Sequence, residues 1–369
     1  MSQPSAKIPQ RSPSSRPTNG SGETPVFRRV PHISILRCGS ALLLALLLPT
    51  LLQAQRRPRH QDDQANRATI LHTANVYVTG DASAPPITTI TPGHEFVISA
   101  HNGPWLNIFI DTDPPEDDDP DSKPEFTDPN VQTNLPSSGW IRDKGVVGTT
   151  TPNGDALIFG YAAELESQAS QPHPPPDAAA AAHLLYARVA DYFPNSPLVP
   201  EALFRAADIR WQLDKADIAT LPSTHDDDGM LRPRIYEGAL RRVMKYFPNS
   251  PVAARAAFDL LDNKLCGDWQ GLPNCPEKET QLYLNYANNY RTGPKSAEAL
   301  YDAAYRQGVL VTMYNVNDQP KLSAEAAKHC QSIADQLHHD YPASDYADRA
   351  AAIAFRAAQG IPIYGTDRD

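Results

Sequence analysis

The hexapeptide Tyr-Phe-Pro-Asn-Ser-Pro stands twice in the chain, at Tyr192 to Pro197 and at Tyr246 to Pro251, and two blurred copies follow it. With Phe193, Phe247, Tyr290 and Tyr341 as anchors, the residue four back is Val189, Val243, Tyr286 or Leu337. The residue eight back is Leu185, Ala239, Leu282 or Ile333. Apolar side chains at i, i+4 and i+8 form one stripe of a helix that ends at each anchor. Nine residues beyond the anchors stand Ala202, Ala256, Ala299 and Ala350, and thirteen beyond stand Ala206, Leu260, Ala303 and Ala354. Most are small enough for close helix approach, so a second helix follows each anchor. Ser196-Pro197, Ser250-Pro251 and Gly293-Pro294 place a capping residue before a first-turn proline, and Ser344-Asp345 keeps the cap with an acid behind it. The unit is helix, tight turn, helix, repeated four times. Such units stack on their neighbours and serve as binding scaffolds more often than as catalysts.

The anchors are 54, 43 and 51 residues apart, longer than a 34-residue tetratricopeptide unit, and the excess falls in connections such as Leu221 to Pro233 and Gly267 to Pro276. The aromatic-Pro-x-Ser turns and the alanines behind them resemble the periplasmic tetratricopeptide proteins of Gram-negative bacteria. That family includes the lipoprotein of the outer-membrane β-barrel assembly machine and the Tol-Pal coordinator. The resemblance implies an all-α solenoid of about eight helices over 178–359, ending in a tail at 360–369. It also implies a periplasmic, outer-membrane-associated scaffold for an envelope protein or peptide. The lipoprotein's attachment cysteine has no counterpart here, because Cys38 precedes the apolar run at Ala41 to Leu52.

That run, the basic Ser- and Pro-rich tract before it and Ala54 after it read as a secretory signal peptide over 1–54. Twelve residues fall short of the roughly 20 that cross a bilayer, which weighs against the alternative of a retained anchor. The first 54 residues hold six Lys or Arg and one Glu, so 27 basic and 42 acidic residues remain beyond them, a net charge of −15. Such a chain would repel phosphate, which excludes nucleic acid as a partner.

After a disordered stretch at 55–67, short β-type runs occupy 68–163: Thr73 to Val78, Pro86 to Ile90, Glu95 to Ser99, Trp105 to Ile110 and Trp140 to Val147. Five short strands suggest a small barrel. The order Asn75-Val76, Thr91-Pro92-Gly93, Glu95 to Ile98, Trp105, Gly139-Trp140-Ile141 resembles the bacterial SH3-like domain, with an acidic insertion at 111–137. The resemblance implies contact with peptidoglycan or protein. Trp105 and Trp140 are core residues on one reading and a ligand platform on the other, with the core favoured. Glu164 to Asp177, which contains Gln171-Pro-His-Pro-Pro-Pro176, reads as an extended linker holding the β-domain off the helices.

Chemistry-bearing motifs are few. Asp117, Asp119, Asp121 and Asp128 match part of a calcium-loop register, but Ser122 stands where the turn glycine belongs. His225 to Gly229 and His338-His339-Asp340 offer metal-binding atoms without fixed geometry. Neither a metal, a cofactor nor catalysis is expected. Tyr283 lies one place off the core stripe and is the helical candidate for facing a ligand. Cys266 and Cys275 bracket one connection and either close it as a disulfide or, with Cys330, remain free thiols. Mass measurement on envelope fractions is expected to find a chain beginning near Gln55, and full-length cytoplasmic protein would refute the export reading.

Overall fold

The computed structural model describes residues 66–113, 138–225, 233–267, 269 and 271–365. Seven strands come first: β1 (Arg67–Ile70), β2 (Ala74–Tyr77), β3 (Pro86–Ile90), β4 (Glu95–Asn102), β5 (Trp105–Phe109), β6 (Ser138–Arg142) and β7 (Val146–Gly148). They form one antiparallel sheet in the order β3-β2-β6-β5-β4-β1-β7. Alternation divides its faces. Ile70, Val76, Phe96, Leu106, Ile108 and Ile141 fill one side as a core, while Tyr77, Trp105, Asn107 and Trp140 lie on the other, where Asn107 pairs with Trp140 and Trp105 with Arg142.

The expected five-stranded barrel is corrected in two respects. Arg67–Ile70 and Val146–Gly148 act as separate short strands, and the described ladder stays open, with β3 and β7 at its edges. The β7 edge turns to the helices instead of to β3: Val147 is buried in a cluster with Ile158, Ala162, Leu185 and Val189.

Nine α-helices follow among the described residues: α1 (Gly154–Ala169), α2 (Ala178–Tyr192), α3 (Val199–Ala219), α4 (Gly238–Tyr246), α5 (Pro251–Asp259), α6 (Asn274–Asn289), α7 (Ser296–Val316), α8 (Pro320–Asp340) and α9 (Asp345–Ala358). Helices α2 to α9 are the four expected pairs. Helix α1 replaces the end of the expected β-domain and the first part of the expected linker, because Ile158, Ala162 and Leu165 make a helical stripe that packs on α2. The Pro-rich residues 171–176 are only a short connection between α1 and α2.

The four anchors adopt one backbone conformation: Phe193 (φ −127°, ψ 60°), Phe247 (−125°, 55°), Tyr290 (−123°, 45°) and Tyr341 (−136°, 56°). Each donates its N–H to the carbonyl four residues back and accepts, three residues on, from Ser196, Ser250, Gly293 or Ser344 N–H. Ser250 and Ser344 cap the next helix through side chains that accept from Ala253 N and Tyr346 N. Ser196 instead donates to Asp155 of α1 at 2.5 Å, and α3 and α7 start later, at Val199 and Ser296. Ala202, Ala256, Ala299 and Ala350 have no exposed surface, and the residues four further on are buried as well.

The sheet sits directly against α2, contrary to the expected separation. Arg188 of α2, 3% exposed, donates from Nε to Gly93 O at 2.9 Å, and its remaining nitrogens reach Asp191 at 3.1 Å and Asp113. Arg67 of β1 pairs with buried Glu95 of β4, whose carboxylate lies 4.0 Å from Arg188. Asp113 also accepts from Glu95 N and lies 2.8 Å from His94 Nδ1, and the hydrogen bond to Asp113 holds that imidazole above its usual range. Gly93 has φ +90°, and a side chain there would run into Leu184 and the α2 backbone.

The structure joins Cys266 to Cys275, with Cα atoms 5.9 Å apart, and leaves Cys330 buried as a free thiol, which burial pushes up to about 12. The bridged loop delivers Cys266 N and Trp269 Nε1 to Oε1 of buried Glu279 at 2.9 and 3.1 Å, while Arg306 Nε reaches Oε2 at 2.9 Å. Non-reducing peptide mapping is expected to recover the two cysteines in linked peptides. Cys275→Ser should cost about 2–3 kcal/mol and shift Trp269 fluorescence to the red as the loop loosens.

Candidate interaction surface

The repeat aligns more than the core. Eight residues past the anchors stand Glu201, Arg255, Glu298 and Arg349, and twelve past stand Arg205, Asp259, Asp302 and Ile353. On a helix these positions share a face about 100° from the alanines, so α3, α5, α7 and α9 present a strip whose eighth positions alternate in charge, while its last twelfth position, Ile353, is buried. Pairs link it across units. Arg205 Nη1 reaches Glu166 of α1 at 2.9 Å and its Nε reaches Glu201 at 2.9 Å, while Arg255 of α5 pairs with the other oxygen of Glu201. Tyr186 donates to Glu166 at 2.6 Å. Burial opposes the charge on Glu201, but hydrogen bonds from Arg255 and Arg205 outweigh it and hold the carboxyl below its usual range. Further along, Lys295 meets Glu298 at 2.7 Å and lies 5.3 Å from the Phe258 ring centre.

Acid exceeds base at the joint of α3 and α5. Burial pushes Asp259 up to about 7, helped by Asp208 and Asp262, and Lys295 and Arg255 only partly oppose this. Oδ2 of Asp259 is buried with no hydrogen-bond partner. Asp208 is also raised by burial, despite the hydrogen bond from Gln212. Asp262 takes Lys215 at 2.8 Å and Trp211 Nε1 at 3.4 Å.

The individual candidates from the sequence fare differently. Tyr283 is a packing residue: it is 5% exposed, and the Arg306 guanidinium lies 4.6 Å from its ring centre. Its place one off the stripe turns it toward α7, not toward a ligand. Trp105 is 6% exposed, meets Tyr77 edge-on at 5.5 Å and lies under Arg142 at 4.2 Å, so its face is no open platform. Trp140 is half-buried beside it. His339 is exposed and bonds only its neighbour Asp340, at 2.7 Å. Asp117, Asp119, Asp121, Asp128 and residues 226–229 lie outside the described residues, and no group of three metal-ligating side chains occurs among those described. The charged strip was missed although its signal was present, since the same anchor offsets that locate the alanines also locate it.

No protein-family model and no curated protein matches the chain. Among solved structures, a de novo designed helical repeat protein aligns at 16% identity over 56% of this chain and 93% of its own, with a TM-score of 0.22.

The raised carboxyl of Asp259 makes stability depend on pH. Between the ordinary carboxylate range and about pH 7 the folded state keeps a proton that the unfolded state has lost, so stability falls as pH rises through that window. Asp259→Asn should flatten the slope and raise Tm at about pH 8 while changing it little near pH 4. Thermal melts across pH check this, and an unchanged slope refutes it.

Proposed function

We propose that the chain is a non-catalytic scaffold of the cell envelope that binds an extended segment of a protein partner along the charged strip of its helical pairs. One observation carries this reading: Glu201 of α3 and Arg255 of α5, at the same place in successive units, pair directly, and Glu298 and Arg349 occupy that place in the next two units. The disulfide supports an oxidising compartment, in keeping with the leader read from the sequence. No helix of the described residues is long and apolar enough to cross a membrane. The helical pairs are read as tetratricopeptide-like, and the sheet as an opened relative of the SH3-like domain.

A second reading rests on the outer face of the sheet. Half-buried Trp140 stands there beside Tyr77, on the side away from the sheet core, and its ring, unlike that of covered Trp105, is suited to stacking on peptidoglycan sugars. A photo-crosslinking residue at Glu298, on the strip, and at exposed Gln331 of α8 separates the readings in the intact protein. The scaffold reading expects a discrete adduct from 298 and none from 331. Co-sedimentation with peptidoglycan that Trp140→Ala abolishes, with no adduct from 298, would replace it by the cell-wall reading.

A further inference from the structure

A third set of anchor offsets describes how units join. At eleven, fourteen and eighteen residues past the anchor, the first unit has Phe204, Ala207 and Trp211, which pack with Ile235, Leu240, Val243 and Val252 of the second. The second unit has Phe258, Leu261 and Leu265. Phe258 meets Tyr286 of the third at 5.2 Å between ring centres, and the two leucines join the third unit's core. The third unit has Tyr301, Ala304 and Gly308. Tyr301 meets Tyr346 of the fourth at 5.5 Å, Ala304 O accepts from Cys330, and Gly308 leaves room for Ile353. In the fourth unit the same positions are Ala352, Phe355 and Gln359, and all are exposed, Phe355 by 62%. The chain then turns at Gly360 (φ 66°) and buries Ile363 against Gly308 on another side of the array.

We propose that this open seat on α9 binds the same seat of a second copy, making a two-fold dimer through antiparallel α9 helices. Head-to-tail growth is closed off, because the face of α2 that would receive a preceding unit is already filled by Ile158 and Ala162 of α1. Among the described residues the seat on α9 is the unfilled one of the series, and a surface that meets its own copy closes about a two-fold axis. With that axis at Ala352, the two Ala352 side chains meet, and Phe355 of each copy packs beside Ala352 and the stem of Arg349 on the other. Asp348 then faces Arg356 of the second copy, and the two helix dipoles run antiparallel. The acidic first turn and basic last turn of α9 are the charge pattern such a pairing needs.

Sedimentation equilibrium of the full chain at micromolar concentration is expected to give twice the mass of one chain. Phe355→Glu should weaken the dimer by at least about tenfold with unchanged circular dichroism, whereas Val316→Glu, at a site 80% exposed elsewhere, should leave it intact. Ala352→Cys should cross-link to itself on mild oxidation above the level of the parent chain, which only the two-fold arrangement allows. A monomeric parent chain overturns the proposal, as does a dimer that survives Phe355→Glu or an Ala352→Cys protein that fails to cross-link. These outcomes are independent of the photo-crosslinking at Glu298.

Discussion

Everything in the helical array depends on the turn at the anchors. One backbone conformation, held by two main-chain hydrogen bonds, sets how the second helix leaves the first. It brings the helices so close that the ninth position tolerates only alanine. The remaining faces follow from helical rotation of about 100° per residue. Positions nine and thirteen face the unit's own first helix. Eleven, fourteen and eighteen lie nearly opposite and face the next unit, and eight and twelve lie between, half-buried except for exposed Arg349 and buried Ile353. One turn thus assigns separate faces of the second helix to pairing, stacking and display.

The first unit has no predecessor, and the chain solves this with α1 and the sheet. Apolar contact alone would leave the sheet free to slide on α2, since Leu184 and Leu185 offer no directional grip. The Arg67, Glu95, Arg188 and Asp113 cluster supplies one. Dehydrating such charges costs several kcal/mol each, and an ion pair recovers this only when its remaining hydrogen-bonding atoms are satisfied. Arg188 meets that demand by dividing its donors among Gly93 O, Asp113 and Asp191. Orientation, more than net stability, is what this arrangement contributes, and Gly93 keeps the strands close enough for it to form.

Much of the helical part was legible in the sequence because one short phrase fixed the phase, after which Leu185, Val189, Ala202 and Ala206 followed by counting. The junction was not, because Arg188 and Asp113 are far apart in the chain and neither belongs to a repeat. Helix α1 is masked by the prolines that follow it, because Gln171 to Pro176 suggest a linker that takes in Glu164 to Ala169 as well. Tyr283 was misread because a stripe of one residue per turn is narrower than the real buried face, which here includes the α7 side. The strip and the unit-to-unit seats were readable by the same counting, but they carry side chains of varied type, and only contacts across units reveal that they share a purpose.

That variety is itself informative. At the eighteenth position the side chain shrinks from Trp211 to Leu265 to Gly308, while what comes to meet it changes from the short helices α4 and α5 to the long α8 and α9 with Ile353 and Ile363 behind them. A tryptophan at 308 could not be housed, since even a methyl group there would lie 2.8 Å from both isoleucines. Glu279 and Arg306 mark the third unit in another way, because their buried pair needs Trp269 and the bridged loop beside it, which no other unit has. The units therefore share a backbone plan but not interchangeable surfaces. Their order along the array is encoded in seats that each fit one neighbour, and in the fourth unit the aromatic has moved from the eleventh position to the fourteenth, where Phe355 stands exposed.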